Sequence, residues 1–364
     1  MNYKEDKRIV LTLDAGGTNL VFTAIQGGVE LVTPVVLPAE ADNLTRCLDN
    51  LVKGFTMVSR MLPTPPVAIS FAFPGPADYK SGIIGDLPNF PSFRGGVALG
   101  PFLEHTFGIP VFINNDGNLF AYGEALTGVL PELNNALERA GSQKRYHNLL
   151  GITLGTGFGA GVVVNGELLL GDNGAGGDVW CLRNKKYSSC IVEESVSIRA
   201  VKRVYAEYSG DVSELTPKEI FDIAEGKRPG NRVAALKAFE ELGEMAGDAI
   251  ASAITLIDGI VVLGGGLSGA ADYILPSLLR EMNSSLSMMN GCSFGRLQMK
   301  TFNLDNPDEF ICFAKGEAVE IKIPGYGGKV VYDSFKRIGV AVSKQGANRS
   351  IAMGAYVYAL NHLR

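Results

Sequence analysis

The residues best suited to chemistry in this chain are acids and amides placed beside glycine turns. Asp14-Ala-Gly-Gly-Thr-Asn19 joins a carboxylate to two glycines and a hydroxyl. Gly16 and Gly17 allow a close backbone approach, Thr18 adds a hydroxyl, and Asp14 offers Mg²⁺ a hard oxygen ligand through water. Two more clusters, Gly155-Thr156-Gly157 and Gly264-Gly265-Gly266, recur later. Each of the three follows a β-branched or apolar run: residues 8–13, 149–154 and 259–263. A strand running into a glycine turn is how backbone N–H groups are brought to phosphates. None has the G-x-x-x-x-G-K-[ST] spacing of a P-loop, and none is followed by an acid placed as in a dinucleotide fingerprint. Asn115-Asp116 follows the apolar run 111–113. A carboxylate with an ordinary pKa of about 3.9 is ionised at neutral pH and can take a proton. Asn89 and Asn115 carry amides that both donate and accept, which suits hydroxyl-rich ligands. Taken alone, Asn-Asp in this position reads as a helix cap.

These turns need a scaffold. The pattern predicts strands over 20–25 and 29–37 around the Gly27-Gly28 turn, then a helix over 43–62 with apolar residues at helical spacing. Strands over 67–73 and 111–113 and a helix over 117–128 follow. Strands over 149–154, 161–164 and 167–170 repeat the opening meander, so the chain reads as two related α/β halves. Helices over 196–208, 217–225 and 232–256 complete the second half. We expect an N-terminal domain over 1–130, with a C-terminal helix over 348–364 packing back on it, and a second domain over 131–347. Within the latter, Val319-Glu-Ile-Lys-Ile323 and Lys329-Val-Val-Tyr332 flank a glycine-rich turn. The stretch of about 302–336 is therefore expected to be an inserted β-hairpin subdomain.

Thirty-three basic against 38 acidic residues give a net charge of −5, which argues against a general nucleic-acid binder. A hydrophobic fraction of 46% with 20% charged residues excludes global disorder and predicts a sizeable core. The apolar stretch 9–13 is too short for a secretory signal, and 249–266 is broken by Asp258 and glycines, so no membrane span is expected. Five scattered cysteines without a CxxC motif suggest free thiols and a cytoplasmic setting.

In this order and spacing the motifs resemble the ROK family of sugar kinases and repressors, which has the actin-like ATPase (ribonuclease H-like) fold. Asp14 through Asn19 is similar to its first phosphate motif, Leu154-Gly-Thr-Gly157 to its second, and Ile257 through Ser268 to its adenosine motif. Phe73-Pro-Gly-Pro-Ala-Asp78, Pro88-Asn89 and Ile113-Asn-Asn-Asp116 follow the family order, as do Ser343-Lys-Gln-Gly346 and Met353-Gly-Ala355. The resemblance implies an interdomain cleft in which ATP and Mg²⁺ lie on the three turns, contacted by Asp14, Gly16, Gly17, Thr18, Asn19, Gly155, Thr156, Gly157, Gly264, Gly265 and Gly266. It implies Asp116 as the base and Asn89 and Asn115 as sugar contacts. The implied substrate is a hexose or hexose derivative, glucose-like or an N-acetylated amino sugar. A homodimer is the family habit. Family repressors carry a helix-turn-helix domain ahead of this fold; residues 1–7 leave no room for one before the first predicted strand. A sugar- or nucleotide-binding protein without turnover is the alternative.

The match weakens at Gly171 through Trp180. Asp178 stands where the family has a glutamate, and Trp180 where it has a histidine. Trp180 is expected either to stack on a sugar face or to fill the core and anchor its loop. The family's cysteine-rich zinc motif is reduced to Cys181 and Cys190, so no structural zinc site is expected. Glu193, four residues before Ser197, matches a sugar-binding glutamate, with Glu194 as the competing register.

Overall fold

The structure, a computed structural model, describes residues 3–85 and 90–363. Its first sheet opens with β1 (Val10–Ala15) and β2 (Asn19–Gln26), an antiparallel hairpin in which Asp14 faces Val21 across the ladder. β3 (Val29–Glu30) and β4 (Val35–Pro38) both pair with β2. They replace the single strand expected over 29–37, because Pro34 interrupts it and a proline cannot donate to a ladder. Helix α1 (Leu44–Arg60) is capped by Asn43, whose side chain accepts from the Arg46 N–H at 3.1 Å. Its stripe of Cys47, Leu51, Phe55 and Val58 is buried, and Phe55 meets the ring of Phe22 edge-on at 5.0 Å.

β5 (Ala68–Ala72) joins β1 in parallel. A small ribbon, β6 (Ala77–Asp78) and β7 (Ile83–Ile84), follows, then α2 (Leu99–Phe107), stopped by Gly108 in the left-handed region. β8 (Val111–Asn114) extends the sheet in parallel beside β5, giving the order β3-β2-β1-β5-β8. The chain then enters α3 (Asp116–Leu126), in which Gly117 through Ala125 are all buried.

The second half begins with α4 (Val129–Arg139), β9 (Leu149–Leu154), β10 (Phe158–Val164) and β11 (Glu167–Leu168). Helices α5 (Ile198–Ser209), α6 (Pro217–Ala224) and α7 (Arg232–Ile257) lead to β12 (Ile260–Gly264), which is parallel to β9. After α8 (Ala271–Met282) comes an exposed ribbon of β13 (Ser285–Ser287) and β14 (Ser293–Gly295). Then β15 (Lys300–Asn303), α9 (Pro307–Lys315), the hairpin β16 (Ala318–Lys322) and β17 (Lys329–Asp333), β18 (Arg337–Val342) and α10 (Ala347–His362) close the chain. The second sheet runs β11-β10-β9-β12-β18-β15. Its first five strands repeat the first sheet's arrangement: a three-strand meander, then two strands added beside the meander's first.

By compactness, the chain up to Gly128 groups with 161–177 and from Gln345 onward, and residues 129–160 group with 178–344. Within the first unit, α10 lies backbone to backbone on α3. A Cβ on Gly354 would run into the Leu119 carbonyl, and one on Gly123 into the Ser350 carbonyl. Gly161 of β10 is equally committed, since a Cβ there would lie 2.7 Å from Asn118 Cα.

The expected insertion over 302–336 is smaller than the sequence suggested. Phe302 is buried in β15, which pairs in parallel with β18, and Phe313 of α9 is fully buried and stacked on Tyr146 at 5.5 Å. Only the hairpin over 318–333 stands outside the sheet. The sequence places 302–315 in the inserted subdomain because the partners of Phe302 and Phe313 lie far away in sequence.

Candidate active site

β1, β5 and β8 are parallel, with Asp14 beside Ala72 and Ala72 beside Asn114. Their C-terminal ends therefore carry Asp14, Phe73 and Asn115-Asp116 along one edge, the usual ligand side of such a sheet. Asn115 performs the cap at the head of α3, its Oδ1 accepting from the Asn118 N–H at 2.6 Å. That commits the oxygen of the amide and leaves its Nδ2 donors for a ligand. Asp116 is exposed at the start of a helix whose next nine residues are buried, and its Oδ1 accepts from the Gly117 N–H at 2.9 Å. Burial raises the Asp14 carboxyl above its ordinary value, and the negative charge of Asp116 raises it further. Asp14 offers a hard-oxygen donor that suits Mg²⁺, which is commonly held by one or two carboxylates together with substrate phosphates.

The turn after β1 is tight: Gly16 N–H donates to the Asn19 carbonyl at 3.0 Å, with Gly16, Gly17, Thr18 and Asn19 all exposed. The turn after β9 is shorter by one residue, with Gly155 N–H donating to the Gly157 carbonyl at 3.1 Å. Nothing lies within 4 Å of where a Gly155 Cβ would stand, so the loop leaves open space above that glycine. The Gly155 carbonyl receives the first N–H of α5, from Ile198, at 2.9 Å, placing a helix N-terminus at this turn. The third turn adjoins it, because β12 runs parallel to β9 with Gly264 beside Thr153. Gly265 has φ near +88°, and a Cβ there would strike the Leu154 backbone, so this glycine is required by the fold. Gly266 is exposed with open space around it and begins a short helical turn ahead of α8.

Glu193 is tied to the second turn. Its Oε2 accepts from the Phe158 N–H at 3.1 Å, and a Cβ on Gly157 would lie 2.7 Å from the same oxygen. Arg199 donates to Glu193 at 3.3 Å and to Glu194 at 2.9 Å. The carboxylate expected to meet a sugar thus braces the second glycine turn, and Glu194, the competing register, shares the same arginine. Arg199 was not singled out from sequence, although two adjacent acids with an arginine five residues beyond the second were the available signal.

Asp178 is exposed ahead of a short helical turn over Val179–Cys181. Trp180 is 41% exposed, so the expectation of a core-filling anchor is corrected. The loop is held instead by Asn184, which is fully buried. Its Oδ1 accepts from the N–H groups of Lys186 and Tyr187 at 3.0 Å each, and its Nδ2 donates to Ser195 Oγ at 2.8 Å. Lys186 pairs with the buried Glu241 of α7 at 2.8 Å, and Lys185 with Glu281 at 2.7 Å. Cys181 and Cys190 are free and exposed, and among the described residues no group of three or more His, Cys, Asp or Glu side chains is placed to hold a metal. Asn89 lies outside the described residues.

The chain is similar to a glucokinase structure from Parabacteroides distasonis, 72% identical with a TM-score of 0.93 and complete coverage of both chains. It is 30% identical to a glucokinase from Thermotoga maritima over 58% of this chain and 71% of that one. It is 27% identical to an N-acetyl-D-glucosamine kinase from Vibrio parahaemolyticus over 70% of this chain and 83% of that one. Residues 10–294 match the ROK family, and with the actin-like ATPase fold and its strand-end acids and glycine turns in place, this chain belongs to the ROK family.

Proposed function

We propose that Asp116 is the general base of this chain, which is an ATP-dependent sugar kinase phosphorylating a hydroxyl of a hexose or hexose derivative. The observation that carries the assignment is the exposed Asp116 at the head of a buried helix. Asn115 already performs the capping that would otherwise explain an acid there. As the sugar oxygen bonds to the terminal phosphorus of ATP, its O–H bond breaks and the proton passes to the Asp116 carboxylate, while the bond to ADP breaks on the other side. Asn115 holds a neighbouring hydroxyl through Nδ2, and Asn89 and Asp178 supply further sugar contacts.

The N–H groups of Gly16, Gly17, Thr18 and Asn19 receive phosphate oxygens, as do those of Gly155, Thr156 and Gly157; Gly264, Gly265 and Gly266 face the nucleoside. Glu193 keeps the second turn in shape. Asp14, through water, would hold Mg²⁺, which when bound neutralises charge on the transferring phosphate. Phosphoryl transfer depends on position and electrostatics, so these fixed dipoles supply much of the catalysis. Glucose and N-acetylated amino sugars are the favoured acceptors, because the relatives bear those activities. An ADP-release assay across hexoses and amino sugars, with and without Mg²⁺, tests this. Turnover confined to a non-sugar acceptor would end the proposal.

A further inference from the structure

The second unit carries an open cavity of about 250 Å³ whose lining includes no residue assigned above to ATP, Mg²⁺ or sugar. One wall is a single face of α4, on which Val129, Glu132, Leu133, Ala136 and Arg139 recur at helical spacing. The rest comes from two neighbouring parallel strands and the helix after the first of them. Leu304 and Asp305 follow β15, Phe310 belongs to α9, and Ala341 and Lys344 lie at the end of β18. Leu133 and Ala341 are buried and Leu304 and Phe310 half-buried, so the interior is apolar. Glu132, Arg139, Asp305 and Lys344 are exposed and form a charged rim.

That rim is balanced, with two acids against two bases. Asp305 Oδ2 accepts from the Val342 N–H at 2.8 Å, which fixes this carboxylate beside the end of β18 and leaves Oδ1 for a ligand. Lys344 stands two residues further along the same chain. Paired strands run ~4.8 Å apart, so an acid and a base come side by side at the mouth of the cavity. Among the described residues, neither Arg139 nor Lys344 has an ion-pair partner.

We propose that this cavity binds a free α-amino acid with a large apolar side chain. An acid beside a base suits an ammonium and a carboxylate carried on one carbon. The ammonium donates to Asp305, and the carboxylate accepts from Lys344 and Arg139. The side chain lies on Leu133, Leu304 and Phe310, which removes its apolar surface from water. A ligand of one sign would leave half of the rim opposed by like charge. The volume lies below the ~300–1,000 Å³ usual for drug-sized ligands, which limits the occupant to a small metabolite. The cavity also adjoins the third glycine turn, because the Ser343 N–H donates to the Leu263 carbonyl at 2.8 Å. ADP is therefore the competitor to exclude.

Calorimetric titration of the full chain with L-phenylalanine and L-leucine tests this. L-phenylalanine should bind with a Kd of about 1 mM or tighter. Phenylpropionate, which lacks the ammonium, and phenethylamine, which lacks the carboxylate, should each bind about tenfold more weakly or worse. Lys344→Ala should weaken L-phenylalanine about tenfold, and Ala136→Trp, which fills the cavity from α4, should abolish its binding. Both variants should keep the far-ultraviolet circular dichroism of the parent. Absence of binding by both amino acids at about 10 mM overturns the proposal. So does phenylpropionate or phenethylamine binding as tightly as L-phenylalanine, or an Ala136→Trp variant of parental affinity. Displacement of L-phenylalanine by ADP overturns it as well, by making the cavity part of the nucleotide site.

Discussion

The turn after β1 and the turn after β9 begin from the same design, a buried strand, a glycine turn and a second strand, but they carry different groups. The first exposes Gly16 through Asn19 and holds an acid, Asp14, whose carboxyl is raised by burial and by Asp116. The second holds no acid of its own; Glu193 reaches in from elsewhere to fix the Phe158 N–H, and the start of α5 is tied to the Gly155 carbonyl. One turn carries its own acid and the other is braced from outside, so a repeated fold can vary the groups at its strand ends with a few side chains.

The largest effect that would test this division belongs to the acid side. Asp116→Asn keeps the shape and the neighbouring Asn115 cap but removes the proton acceptor, so turnover should fall by ~10²–10⁴-fold while nucleotide still binds. Parental turnover in this variant would reduce Asp116 to a surface residue of α3.

Next come two glycines of the other side that look alike in sequence and differ in space. Gly265→Ala forces a side chain into a positive-φ position against the Leu154 backbone and should cost about 3 kcal/mol of stability or more. Gly155→Val meets open space, so melting should barely move while ATP affinity, measured by calorimetry, falls about tenfold or more. If the two variants behaved alike, the distinction between a structural and a phosphate-facing glycine would collapse.

The loop between Asp178 and Glu193 offers a third comparison. Asn184→Ala strands the N–H groups of Lys186 and Tyr187 and the Ser195 hydroxyl, and should cost about 2 kcal/mol. Chelator treatment followed by restored Mg²⁺ should leave the melting temperature of the parent unchanged. Stoichiometric zinc on Cys181 and Cys190 would show the loop to be metal-ordered.

The smallest effect is a pH dependence. A carboxyl raised in the folded state keeps its proton where the unfolded chain has lost it, so its contribution to stability falls as pH rises from the ordinary aspartate value through the folded one. Asp14→Asn should flatten that part of the stability curve in urea titrations. Because the Asp14 carboxyl is only partly withdrawn from water, the change should be modest; an unchanged slope would mean that neither burial nor Asp116 raises it.

Hydrophobic periodicity and strand–glycine–strand spacing determined much by themselves: the α/β class, the two related halves, the position of each glycine turn and the acid after β8. These are local features, set by side-chain alternation and the freedom of glycine. Tertiary structure decided what depends on distant partners. It brought Asp14 under the influence of Asp116, turned Glu193 onto the Phe158 N–H, and made Asn184 the centre of its loop. It drew Phe302 and Phe313 into the core and left the apolar face of the hairpin outside, although both segments carry hydrophobic residues. Hydrophobicity shows which side chains seek cover; packing around the rest of the chain decides which of them find it.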